Sequence, residues 1–125
     1  MLFCIATSTV MDVILFHNPA CPISCKVREL LQQEGFKPVI LDYLKAPPNA
    51  DDLRVVLKLL KAGPRRIMKA KEPIYQRLGL GDPTLSEGQL IRAMVAHPEL
   101  IDGPLVVTED DAVLARPPEK VFNVL

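Results

Sequence analysis

The sequence predicts an α/β domain ordered βαβ, then a helical middle, then ββα, around a mixed four-stranded sheet. Three observations predict it. Two short apolar runs, Val13–Phe16 and Val39–Leu41, flank a segment of helical periodicity. Prolines, glycines and capping residues then divide residues 47–98 into helical pieces. Finally, Leu105–Val107 and Val113–Leu114 are joined by the acidic turn Glu109-Asp110-Asp111, which reads as an antiparallel hairpin.

The run at 13–16 is continuously apolar, as a buried strand requires. A helix follows from Cys21 or Pro22, because proline suits the first helical position. Ile23, Val27, Leu30 and Leu31 form one of its faces, and Gly35 stops it. Val39–Leu41 reads as a second buried strand, parallel to the first because the connection is a helix. After Pro47-Pro48, Asn49 is an N-cap, and Asp51 and Asp52 suit the positive end of a helix. Leu53, Val56, Leu57 and Leu60 mark the buried side of this helix, and Gly63-Pro64 ends it. Short helical pieces surround Pro73. Ser86 and Gln89 make a capping box for a helix carrying Leu90, Ile91, Met94 and Val95. His97, before Pro98, reads as the end of that helix. The last element is an amphipathic turn or two with Val121, Phe122 and Leu125. A cysteine at the first strand-to-helix turn and a proline just before the third strand match a thioredoxin-like fold.

The 125 residues are the size of one domain, here 11–125, and 49% hydrophobic content can fill a core without disulfides. The net charge is zero and there is no tryptophan, so neither a basic nucleic-acid footprint nor a base-stacking platform is expected. Residues 1–10 read as an extension outside the core, too short to span a membrane, and Cys4 is given no function. Three cysteines, two of them four residues apart, suit a cytoplasmic reactive site better than a secreted scaffold.

Cys21 is the candidate nucleophile, since the turn from a strand into a helix at the edge of a parallel pair is where sites form. A thiolate there faces the free N–H groups of the helix start, which also bind oxyanions. That end stabilises an anion by only about 0.3–1 kcal/mol, so a cation or further hydrogen bonds must help. His17, Lys26, Lys69 and Arg116 are the candidate cations, and the Ser24 hydroxyl is a candidate donor. Cys25, one helical turn on, is a candidate resolving thiol; it is otherwise a neighbouring thiol or core packing. His17, Cys21 and Cys25 fit no zinc spacing, and no metal is expected.

His17-Asn18-Pro19-Ala20-Cys21 resembles the active-site loop of the ArsC family, the glutaredoxin-dependent arsenate reductases. Further landmarks recur in the family's order: Tyr43–Pro48, Glu72-Pro73, Tyr75, Leu78–Leu80, Gln89–Ile91, His97-Pro98, Leu100-Ile101, Pro104–Thr108 and Arg116-Pro117. The resemblance spans nearly all of 11–125. It implies that Cys21 attacks arsenate to form an arseno-thiol adduct, with His17 and Ser24 tuning it. Glutathione is the implied co-substrate and glutaredoxin the partner; no bound cofactor and no membrane are implied. Arg116, with Lys69 and Asn18, is implied to bind the oxyanion. The family uses three arginines. Arg116 matches one; Lys69 and Gly103 stand at the other two, and Arg65 or Arg66 is a candidate substitute. The resemblance also implies a cis bond before Pro104, facing Cys21. Two other branches are similar: YffB-like glutathione-dependent thiol oxidoreductases without arsenate activity, and Spx-like redox-sensing interaction proteins.

Overall fold

The structure, a computed structural model, describes residues 13–125, so Cys4 and the expected extension 1–10 lie outside the described residues. The chain divides into two compact units. One joins the segment up to Ala46 with Gly103–Leu125, and the other is Pro47–Asp102.

The first unit holds the whole sheet. Strands β1 (Ile14–His17), β2 (Val39–Asp42), β3 (Leu105–Val107) and β4 (Ala112–Leu114) lie in the order β2-β1-β3-β4. β1 pairs parallel with β2 and antiparallel with β3, and β3 with β4 is an antiparallel hairpin. Helix α1 (Pro22–Gln33) makes the β1–β2 crossover. It ends as the glycine predicts: Gly35 has φ 84°, and the Phe36 amide returns to the Leu31 carbonyl at 3.0 Å, a Schellman closure. This is the mixed, thioredoxin-like α/β fold the element order predicts.

Two elements differ from expectation. The apolar run at 39–41 predicts a buried strand, yet β2 is a sheet edge and Val39 is 52% exposed. An apolar run does not say which of two paired strands gains a second neighbour. The final segment, Pro118–Val124, is a 3-10 helix. With three residues per turn, Val121 and Val124 share a face and both are buried, while Phe122 points outward, 43% exposed. Val121 and Val124 complete a core with Val13, Leu15, Val27, Leu31, Val106 and Ala115. Burying each of the larger aliphatic side chains stabilises the unit by about 1.5–3 kcal/mol.

The second unit contains α2 (Ala50–Leu60), α3 (Pro73–Arg77) and α4 (Glu87–Ala96), with 3-10 turns at Pro64–Ile67 and Pro98–Leu100. Both predicted caps form. Asn49 pairs reciprocally with Asp52, and Ser86 with Gln89. A bridge that the pattern does not predict ties Met68 to Ile101, with the Lys69 amide on the Leu100 carbonyl at 2.7 Å. Arg65 is spent inside this unit: its guanidinium donates to the carbonyls of Leu80 and Asp82, each at 2.7 Å, and to the Tyr75 hydroxyl at 2.9 Å. It is therefore a clamp on the 75–82 turn rather than a substitute anion ligand.

Candidate active site

The site begins where β1 ends. Asn18 shapes the turn twice: its side-chain oxygen accepts from the Ala20 amide, and its carbonyl accepts from the Cys21 amide, both at 3.0 Å. Pro22 then starts α1, leaving Cys21 at the N-cap in an extended conformation with φ −95° and ψ 118°. No side chain caps this helix. α2 and α4 both carry complete capping boxes. Among the described helices of ten residues or more, α1 alone leaves its first amides uncapped, and the residue at that position is the half-buried cysteine. The result is a thiol beside a row of uncapped amides, an arrangement that can receive an anion.

Arg116 reaches the same place from the far end of the chain. After β4 the Ala115 amide bonds the Pro104 carbonyl at 2.9 Å, which holds the 115–117 segment against the start of β3. The Arg116 Nε donates to the Gly103 carbonyl, and Nη2 donates to Cys21 Sγ at 3.6 Å. Arg116 therefore brings a fixed positive charge and a donor to the sulfur side of the same arrangement. The Gly103–Pro104 bond is cis, as expected, and so is Arg116–Pro117.

His17 and Ser24 form the floor of the loop. Both are buried, 4% and 1% exposed. The His17 Nδ1 lies 2.5 Å from Ser24 Oγ, which also accepts from the Asn18 amide at 3.1 Å. Ser24 therefore fastens the loop to the first turn of α1. Its hydroxyl serves His17 and Asn18 and not the thiol it was expected to serve. His17 is no cation either. Burial, and then the nearby positive charge of Arg28, push its pKa below the usual 6.5, and Asp42, its neighbour across β2, only partly opposes them.

Two outcomes follow. Ser24→Ala removes the partner of a buried ring nitrogen and of the Asn18 amide, and is expected to cost about 1–3 kcal/mol in urea unfolding. A change under about 0.5 kcal/mol would show that the strut carries no weight. The second concerns pH. The folded state holds His17 neutral where the unfolded chain protonates it, so the unfolded state binds more protons. The contribution is fully present above 6.5 and declines as pH falls below that value. Urea midpoints at about pH 7.5 and about pH 5.5 should therefore differ less in His17→Asn than in the parent, and an unchanged difference contradicts the assignment.

The other predicted residues are distributed differently. Lys26 faces Glu29 across 3.9 Å on the exposed side of α1. Lys69 belongs to the second unit, and Arg66 is exposed there. His97 is the C-cap residue of α4, with Glu99 3.6 Å away. Cys25 is exposed, which excludes core packing, and its Sγ lies 3.5 Å from the Pro19 carbonyl. At Gly103, Tyr43 occupies the space: its hydroxyl is 3.1 Å from where a Cβ would stand, and Tyr43 is 2% exposed. The sequence marks Tyr43 only as a family landmark and does not single out Arg28 or Asp42, because nothing local to them points at a site. Among the described residues no group of three or more His, Cys, Asp or Glu is placed to hold a metal, and no helix is long and apolar enough to cross a membrane.

A family model described as ArsC family matches residues 16–124. The chain belongs to the ArsC family. Its relatives include the "Uncharacterized protein YfgD" of Escherichia coli (strain K12), 40% identical over 91% of this chain and 97% of the relative. The "Arsenate reductase" of Rhizobium meliloti (strain 1021) is 36% identical over 92% of this chain and 82% of its own length. Among solved structures, the arsenate reductase from Vibrio cholerae superposes with a TM-score of 0.90 at 38% identity, covering 93% of this ArsC-family chain and 99% of the other.

Proposed function

We propose that this ArsC-family protein is an arsenate reductase with Cys21 as its nucleophile. The observation that carries the reading is the Cys21 thiol at the uncapped start of α1, with Arg116 Nη2 3.6 Å from its sulfur. The relatives named arsenate reductase support the choice of oxyanion. In the proposed reaction the Cys21 thiolate attacks arsenic, an arsenate oxygen leaves as water, and a sulfur–arsenic bond forms. The amides of the first turn and the Arg116 guanidinium hold the remaining oxygens. Asn18 shapes the loop that presents these amides, and Lys69 is a further candidate for the anion. Glutathione then attacks the adduct as co-substrate and glutaredoxin completes reduction to arsenite, with no cofactor bound to this chain and the cytoplasm as the setting.

The test is consumption of NADPH by the purified protein with glutathione, glutathione reductase, glutaredoxin and arsenate. Arsenate-dependent turnover is expected. Oxidation that proceeds equally without arsenate would instead mark a glutathione-dependent thiol oxidoreductase.

A further inference from the structure

We propose that Cys25 is the resolving thiol of this site, so that arsenite is released by an internal Cys21–Cys25 disulfide rather than only by an external monothiol. The inference rests on the arsenate reductase reading and deepens it by naming the source of the second thiol.

The geometry points there from four sides. Cys25 is exposed, so its thiol is available to react. The Cys25 amide donates to the Cys21 carbonyl at 3.1 Å, which makes the two residues neighbours across one helical turn. Helical side chains lean toward the helix N-terminus. Cys25 follows that rule: its Sγ rests 3.5 Å from the Pro19 carbonyl, over the loop that carries Cys21. Finally, Cys21 is the N-cap residue, in an extended conformation outside the helical dihedrals of α1.

The chemistry balances. One thiol, Cys21, forms the sulfur–arsenic bond and releases water. The Cys25 thiolate then attacks the Cys21 sulfur. A sulfur–sulfur bond forms, the sulfur–arsenic bond breaks, and arsenic departs with that electron pair as arsenite. Two thiols are oxidised to one disulfide, and As(V) is reduced to As(III). Across the cycle two thiols and arsenic acid give a disulfide, arsenous acid and water. An external thiol or dithiol reductant then restores the pair by exchange.

Residues one turn apart on a helix have Cβ atoms about 5–6 Å apart, whereas a disulfide needs about 3.5–4.5 Å. The bridge therefore forms only when the Cys21 end of the loop moves inward, and it is strained. Strained, exposed disulfides are the readily reduced ones, which suits a bond remade in every turnover and not a structural staple. A thiol tethered one turn away also needs no diffusional encounter, unlike free glutathione.

The experiment is a single turnover without added thiol. The full chain carrying Cys4→Ser, which leaves Cys21 and Cys25 as its thiols, is reduced, freed of reductant under argon and mixed with excess arsenate. About one equivalent of arsenite per chain is expected, with a protein two hydrogens lighter and a linked Cys21–Cys25 peptide. The additional change Cys25→Ser should cut that arsenite at least about tenfold, while glutathione and glutaredoxin restore its release. If the Cys4→Ser chain releases arsenite only after glutathione is added, or forms a dimer linked through Cys21, Cys25 does not resolve the adduct, although the reductase reading stands. If neither condition yields arsenite, that reading fails and this inference fails with it.

Discussion

Cys21→Ser is expected to lower arsenate-dependent turnover by at least about 10³-fold, because a serine hydroxyl at an uncapped helix start has no base beside it to activate it. The His17 Nδ1 is engaged by the Ser24 hydroxyl. A half-buried sulfur in a preformed turn contributes little to the core, so unfolding free energy should stay within about 0.5 kcal/mol of the parent. The coupled assay gives the first quantity and urea unfolding the second. Turnover that survives within tenfold of the parent would move the nucleophile elsewhere, and no other described cysteine holds this position.

Arg116 is expected to show the next largest effect. Arg116→Ala removes the cation on Cys21 and the contact to the Gly103 carbonyl together. A loss of about 10²–10³-fold in kcat/KM is the scale for one donor aimed at a reacting anion. Arg116→Lys keeps the charge but not the fork. A lysine has no way to hold the Gly103 carbonyl through Nε while reaching the sulfur through a second nitrogen, so it should recover only part of the loss. A lysine variant as fast as the parent in the coupled assay would show that charge alone suffices.

Much of this site is written along one short stretch. From His17 to Cys25 the turn, the helix start and both thiols are local, and local patterns report local geometry. Asn18 and Pro22 set the turn and the first helical position wherever the chain goes next. The same holds for the caps at Asn49 and Ser86, which bond residues three positions away. The roles read for Ser24, His17 and Arg65 changed because each depends on what lies across space. Ser24 looked free to serve the thiol, but its hydroxyl is engaged by residues six and seven positions back. His17 looked like a charge, until burial and Arg28 kept it neutral. Arg65 looked like a stand-in ligand, yet its donors are taken by carbonyls fifteen and seventeen residues on.

By itself, the sequence determined the element order, the parallel βαβ start, the cysteine at a helix N-terminus and the capped helix starts, because these follow from periodicity, capping and backbone restriction within a few residues; the end of α2 instead falls at Lys61, in the left-handed conformation, ahead of the expected Gly63-Pro64. Only the tertiary structure decided that β2 is an edge, that Tyr43 fills the space beside Gly103, and that Arg116 meets Cys21 across 95 positions of chain. Spacing along a chain carries no record of such meetings, since burial and Coulombic contact depend on which elements pack together. The placing of the Cys21 thiol is therefore a local feature, and the positive charge beside it a tertiary one.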